Sequence, residues 1–316
     1  MVTLRIALAV TVLAAALCSP AAAAVAYTVT DLGPGNARGI NDAGQVAVAY
    51  AVNGWVYNSS NGTTTYLIDG AACAINNPGQ VAGGMPGWAP PFIYSNGAYT
   101  WLPTGNNYGY ANGINNAGQA VGSYYPSGYP GTSYAFLYSN GQLTNLGSGT
   151  AWGINNSGQI AGQNGAGDAF IRSGGKTTDL GAGAAYAIND SGVAVGQNGA
   201  GDACIWVGGA MTDLGFAGCA YGINGVGQVV GGNGTGAFLY SGGVMTNLNT
   251  LIDPVSGWTL ECAYGINDNG QICGYGRETA GPMMGSTEGF LLTPEPATMG
   301  LLGLGLAALI ARRKRK

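Results

Sequence analysis

An all-β fold assembled from a repeated unit is what this sequence predicts, on three observations. One motif, Gly-Ile-Asn followed by two turn residues and Gly-Gln, returns seven times with small variations. Glycine fills 59 of the 316 positions and falls largely in the turns between short apolar runs. Those runs are four or five residues long, too short for helices and bounded by turn signals, as strands are. The length suffices for one large all-β domain or two ordinary ones. With 47% apolar residues, 8% charged residues and a net charge of −4, the chain lacks the composition that keeps a polypeptide unfolded. Histidine is absent, which excludes Ser/His/Asp and Cys/His nucleophilic sites, imidazole bases and His-containing zinc sites.

The chain opens with one cation, Arg5, an apolar run from Ile6 to Leu17 and a small-residue stretch from Ala21 to Ala26. That is the three-part layout of a secretory signal peptide, assigned to residues 1–26, with cleavage after Ala24 or Ala26. Leu17 before Cys18 argues against a lipoprotein signal.

Residues 27–293 form the body. Its recurring core occurs at Gly39-Ile40-Asn41, Ala74-Ile75-Asn76, Gly113-Ile114-Asn115, Gly153-Ile154-Asn155, Ala187-Ile188-Asn189, Gly222-Ile223-Asn224 and Gly265-Ile266-Asn267. Such a period marks a repeat architecture. Each unit holds four strand-like pieces, as in 151–155, 159–162, 169–172 and 177–180, separated by Asn-Ser-Gly or Ser-Gly-Gly turns where glycine supplies positive φ. Four strands per unit of this length is the size of a β-propeller blade. The last unit stops after its third strand, Gly289-Phe290-Leu291-Leu292. The body begins with an orphan fourth strand, Tyr27-Thr28-Val29-Thr30-Asp31-Leu32-Gly33, similar to Met211-Thr212-Asp213-Leu214-Gly215. The expected fold is therefore a seven-bladed β-propeller of four-stranded repeats closed by an N-terminal strand, leaving no open edge between first and last repeats. An open solenoid is the alternative.

The units carry Ala135-Phe136-Leu137-Tyr138, Ala169-Phe170 and Ala237-Phe238-Leu239-Tyr240, and one closes on Thr178-Asp179-Leu180-Gly181. This pattern resembles the HAF repeat of bacterial extracellular proteins over most of Tyr27 to Leu292. Pro91-Phe92 and Tyr99-Thr100-Trp101-Leu102 depart from it. The resemblance implies architecture and location and brings no activity with it.

The chain ends in Pro294-Glu295-Pro296, an uncharged run from Ala297 to Ala311, and the cations Arg312, Arg313, Lys314, Arg315 and Lys316. As a helix the run reaches about 22 Å, short of a hydrocarbon core of about 30 Å, so it spans only with snorkelling or a thinned bilayer. The terminal cations orient it with the body outside the cytoplasm. Residues 294–316 resemble the PEP-CTERM sorting signal of exported bacterial proteins. The resemblance implies export machinery and an exosortase-like membrane enzyme as partners. It also implies a precursor anchored in the inner membrane by the C-terminal helix and a mature form at the cell surface or outside the cell. An ordinary single-span tail anchor is the alternative.

Without both signals the body has four cations, Arg38, Arg172, Lys176 and Arg277, against thirteen carboxylates, a net charge near −9. No basic stripe exists for a phosphate backbone, so nucleic acid is not an expected partner. The innermost strands are expected to be those ending in Ile-Asn, with the Asn hairpins on one face and the long, unequal links on the other. Binding is expected on the link face.

The segment Tyr124-Tyr125-Pro126-Ser127-Gly128-Tyr129 lies in one such link. Rigid aromatic faces beside Asn, Gln and Ser suit sugar rings, so Tyr124, Tyr125 and Tyr129 are the candidate ligand-binding residues, against packing on their own scaffold. The expected function is a non-catalytic binding module for exopolysaccharide. The alternatives are a structural surface protein without a ligand and a carboxylate-dependent glycan hydrolase built on Glu261, Glu278 or Glu288. Asp31, Asp179 and Asp213 recur at one strand position and are expected to serve turn or edge chemistry. The Asn267-Asp268-Asn269-Gly270 hairpin lacks the distal acidic ligand of a calcium loop, and no metal or cofactor is expected. Cys73, Cys204, Cys219, Cys262 and Cys273 are odd in number and contain no C-x-x-C, and are expected to be small core residues. The mass of the mature protein checks both processing events: it is expected to lack the first 24 or 26 residues and the basic tail.

Overall fold

The computed structural model describes residues 26–295 apart from 52, 68–69, 86–88, 106, 127–130 and 280–284. The expected signal peptide 1–26, but for Ala26, and the tail from Pro296, with its expected transmembrane helix and the cations Arg312 to Lys316, lie outside the described residues. Among the described residues no helix is long and apolar enough to cross a membrane.

Strand β1 (Tyr27–Pro34) precedes the first unit, formed by β2 (Asn36–Ile40), β3 (Gln45–Tyr50), β4 (Asn53–Asn58) and β5 (Thr63–Leu67). The second unit holds β6 (Ala71–Ile75), β7 (Val81–Met85), β8 (Ala89–Ser95) and β9 (Ala98–Trp101). In the third, β10 (Tyr108–Ile114), β11 (Ala120–Tyr125) and β12 (Tyr134–Ser139) lead into β13 (Gln142–Ile154). That long strand serves two units: residues 142–148 pair with β12, and 149–154 pair with β14 (Ile160–Asn164) of the fourth unit. After β15 (Asp168–Ser173), β16 (Lys176–Ile188) repeats the device, pairing first with β15 and then with β17 (Ala194–Asn198) of the fifth. The fifth unit ends with β18 (Asp202–Val207) and β19 (Ala210–Ala217). The sixth has β20 (Cys219–Ile223), β21 (Val229–Asn233), β22 (Gly236–Ser241) and β23 (Val244–Asn247). The last has β24 (Trp258–Ile266), β25 (Ile272–Glu278) and β26 (Thr287–Pro294).

The orphan strand takes the expected place. β1 runs antiparallel to β26, with Tyr27 opposite Pro294 and Asp31 opposite Phe290, and completes a four-stranded sheet ordered β1-β26-β25-β24. Without it, β26 would present an unpaired backbone edge.

The repeated asparagine explains the hairpins. Asn155 Oδ1 accepts from the backbone N–H groups of Ser157 and Gln159 at 3.1 and 2.8 Å, and its Nδ2 donates to Gln159 Oε1 at 2.7 Å. The side chain thus closes its own turn, which is why Asn and Gln stand four residues apart in most copies. The remaining Nδ2 hydrogen reaches outward to the carbonyl of Asn189 in the next unit at 2.9 Å. The same bond links Asn41 to Asn76, Asn76 to Asn115, Asn115 to Asn155, Asn189 to Asn224 and Asn224 to Asn267. Asn267 then donates to Asn41 at 2.9 Å across 226 residues of sequence, so the circuit returns to its start. All seven asparagines are buried.

The core lies between units. One apolar cluster joins Val121 and Ala135 of the third to Ile154 and Phe170 of the fourth, and another joins Ala161 of the fourth to Trp206 of the fifth. Leu32 and Leu291 of the last unit pack with Val46, Val48 and Trp55 of the first. Glycine in the second strand of six units, replaced by Val48 in the first, lets the strands within a unit lie close: a Cβ on Gly231 would lie 1.9 Å from the Cys219 carbonyl and 2.7 Å from the Phe238 ring. Removing one linking asparagine leaves turn donors and a neighbouring carbonyl unpaired, so Asn155→Ala is expected to cost about 2–4 kcal/mol. Thermal unfolding followed by circular dichroism should register this as a drop in Tm of about 5–15 °C.

Candidate functional site

The innermost strand of every unit contains a β-bulge at one position. Pairing with the second strand skips a residue between Ala37 and Gly39, Ala72 and Ala74, Ala111 and Gly113, and Ala151 and Gly153. It skips again between Ala185 and Ala187, Ala220 and Gly222, and Ala263 and Gly265. A bulged residue is released from the ladder and its side chain is re-aimed. The released residues are Arg38, Cys73, Asn112, Trp152, Tyr186, Tyr221 and Tyr264, and all seven line one cavity of about 350 Å³.

This ring has two unlike halves. Four successive units contribute an aromatic arc, with centroid separations of 5.9 Å from Trp152 to Tyr186, 5.0 Å from Tyr186 to Tyr221 and 5.2 Å from Tyr221 to Tyr264. Three units contribute a polar arc. The Arg38 guanidinium lies 5.7 Å from the Tyr264 ring centre, within cation–π range, and Asn112 Nδ2 donates to the Ala151 carbonyl at 3.1 Å. Burial, followed by the Cys262 thiol, pushes the Tyr264 phenol up to about 12 against the lowering effect of Arg38. Burial also raises Tyr186 and Tyr221, the latter further through a hydrogen bond with Cys219. At neutral pH the ring therefore offers uncharged phenols and one guanidinium.

An adjoining cavity of about 330 Å³ shares Arg38, Cys73, Asn112 and Trp152 with the ring and adds Tyr110, Ser123 and Tyr125. Ser123 and Tyr125 stand at the end of β11, where the link to the third strand begins, so both cavities open toward the link face. At the opposite end, the asparagine hairpins enclose a polar cavity of about 280 Å³ rimmed by Asp42, Asp190 and Asp268. These carboxylates accept from the backbone of a neighbouring unit: Asn156 N donates to Asp190 at 2.9 Å, Gly225 N to Asp268 at 2.7 Å and Asp268 N to Asp42 at 3.0 Å.

The sequence-predicted residues separate. Tyr124 is half-buried on its own unit, 6.2 Å from Tyr134 and 6.4 Å from Phe136, with its hydroxyl accepting from Asn145 at 3.1 Å. Tyr125 lines the cavity beside the ring, and Tyr129 lies outside the described residues. Glu261 is bound by Arg277 at 2.8 Å, Glu288 is buried with Ser286 donating to it, and Glu278 faces Trp258 in register. None of the three lines the ring. Asp31, Asp179 and Asp213 each accept from the backbone N–H two residues on, at 2.8, 2.8 and 2.7 Å, the turn chemistry expected of them. Among the described residues no three His, Cys, Asp or Glu side chains form a metal-binding group, and the five cysteines are free thiols. Of the sorting residues, Pro294 ends β26 and Glu295 donates its N–H to the Ala26 carbonyl and accepts from Thr28, while Pro296 and the cations lie outside the described residues.

Sequence reasoning missed the ring. Its signal lay in the residue two before each repeated isoleucine, which varies from Arg to Tyr while the residue before it is alanine in all seven copies. Strict alternation would have placed that residue on the same face as the isoleucine.

Residues 292–316 match the model of the PEP-CTERM protein-sorting motif, which marks the chain as exported and sorted at a membrane. The match begins inside β26, at the buried Leu292. No curated protein matches the sequence. Among solved structures, virginiamycin B lyase from Staphylococcus aureus is similar at 12% identity and a TM-score of 0.57, covering 84% of this chain and 99% of that one. A chain of the mitotic checkpoint complex is similar at 14% identity and a TM-score of 0.52, with 90% and 98% covered. A fungal alcohol oxidase in complex with copper reaches 0.53 at 12% identity, with 85% and 76% covered. At these identities the likeness concerns the fold, which is all-β with propeller-type neighbours.

Burial, ahead of nearby charges at Cys204 and Cys262 and against a backbone hydrogen bond at Cys273, pushes these three thiols up to about 12 from an ordinary 9.0. A raised folded-state value means stability is complete below the unfolded value and is lost as pH climbs through the folded one. Scanning fluorimetry is expected to give a flat Tm from pH 6 to 8 and a progressive fall above about pH 9.

Proposed function

We propose that the mature protein is a non-catalytic binding module for exopolysaccharide at the cell surface or in the extracellular matrix, with the bulge ring as its binding site. The aromatic arc from Trp152 to Tyr264 carries this reading. Sugar rings have apolar faces that stack on aromatic side chains and hydroxyl edges that pair with polar ones, and this ring offers both on opposite sides. The asparagine circuit and the packing of the last unit on the first support seven blades closed into a propeller, built from HAF-type repeats. On this reading residues 1–26 are a signal peptide, 27–293 the propeller and 294–316 the sorting signal, handled by export machinery and an exosortase-like membrane enzyme. The C-terminal helix anchors the precursor in the inner membrane until sorting.

A non-catalytic role fits a chain without histidine and a ring without carboxylates. The enzymes among the structural neighbours act through their own residues, and fold alone transfers no activity. The test is a glycan array probed with the purified body. Tyr186→Leu combined with Tyr221→Leu, which keeps apolar volume while removing two stacking faces, is expected to weaken retention about tenfold or more. Tyr124→Leu, packed on its own unit, is expected to leave it unchanged. A wild-type protein that binds no glycan overturns the reading in favour of a structural surface protein.

A further inference from the structure

The polar half of the ring is not neutral. Arg38 is one of four cations in an acidic body, and the other three are placed elsewhere. Arg277 is paired with Glu261 at 2.8 Å, Arg172 donates to Thr177 on the neighbouring outer strand, and Lys176 begins that strand. Arg38 forms no ion pair among the described residues. Its guanidinium is held over the Tyr264 ring, and its neighbours around the cavity are Cys73 and Asn112, with no carboxylate on the ring. A guanidinium presents paired donors that match a carboxylate, and its stacking on an aromatic face fixes its plane at little cost in freedom.

Resting on the reading above, we propose that this ring selects sugars carrying a carboxylate, with Arg38 as the residue that selects them. The pyranose ring lies against the aromatic arc, and its carboxylate meets Arg38 across the cavity. A volume of about 350 Å³ is at the small end for ligand sites and suits one terminal sugar better than a length of chain. The carboxylate can belong to a hexuronate or to a pyruvate ketal on a neutral sugar, since the guanidinium recognises the group and not its attachment.

The experiment titrates purified protein with three trisaccharides that differ only at the non-reducing end: glucose, glucuronate and pyruvylated glucose. Calorimetry at about 0.15 M salt keeps the long-range repulsion of the acidic body screened. Wild type is expected to favour at least one carboxylated probe over the glucose probe by about tenfold. Arg38→Gln is expected to abolish that preference while retaining the weaker affinity for glucose, and Arg38→Lys to keep part of it. The carboxylated probe that gains shows which attachment the site accepts. Equal binding of all three by wild type, or a preference that survives in Arg38→Gln, overturns the selection by Arg38 and leaves the sugar-binding reading standing. Absence of binding to every probe, with Tm unchanged, overturns both.

Discussion

The structure depends on one side-chain amide per repeat. Each buried asparagine closes its own turn through its oxygen, all but Asn189 also through one hydrogen to a glutamine, and gives a hydrogen to the carbonyl of the asparagine in the next unit. Because donor and acceptor sit on the same residue type, every unit is both giver and receiver. Only a cyclic arrangement satisfies the first and last copies as well. The bond from Asn267 to Asn41 supplies that last link. A buried amide left half-satisfied would cost more than a neutral contact gains, which makes the circuit a constraint on how the units are arranged as well as a source of stability.

A second regularity follows from close packing around that circuit. The residue three before each isoleucine is alanine, fully buried in all seven copies, where the second strand of its own sheet approaches closely. In every unit but the first, which has Val48, the second strand answers with glycine, since a side chain on Gly231 or Gly274 would strike a carbonyl and a phenylalanine ring. Between these crowded positions the bulge lifts one residue out of the ladder. That residue is free of the ladder and meets its counterpart or the backbone of the next unit instead, as Asn112, Trp152, Tyr186 and Tyr221 do, so its identity differs between units. Arginine, cysteine, asparagine, tryptophan and tyrosine all occur there, and their variety gives the cavity its aromatic and polar halves.

The first and last described residues share one edge of the molecule. β1 completes the last sheet, Glu295 donates to Ala26, and Pro294 lies 3.6 Å from the position a Cβ would take on Gly270 in the last asparagine hairpin. Tyr27 and Pro294 therefore lie toward the hairpin face, while the ring cavity opens on the other. The sorting motif begins within the last strand, where its first matched residue, Leu292, is buried in β26.

By itself the amino-acid sequence determined the repeat, the four strands of each unit, the turn role of Asp31, Asp179 and Asp213, and the displaced strand Tyr27–Pro34. These are local matters of turn chemistry and period, legible wherever seven copies can be laid side by side. The tertiary structure decided the rest. Tyr124, a candidate sugar platform in sequence, packs on Tyr134 and Phe136, because the register of β11 against β12 sets it opposite Tyr134. Trp152, Tyr186, Tyr221 and Tyr264 lie 34 to 43 residues apart and meet only around an axis that no single repeat contains. Their direction depends on a bulge, and a bulge breaks the alternation from which strand faces are read, so the chain alone could not say which way they point.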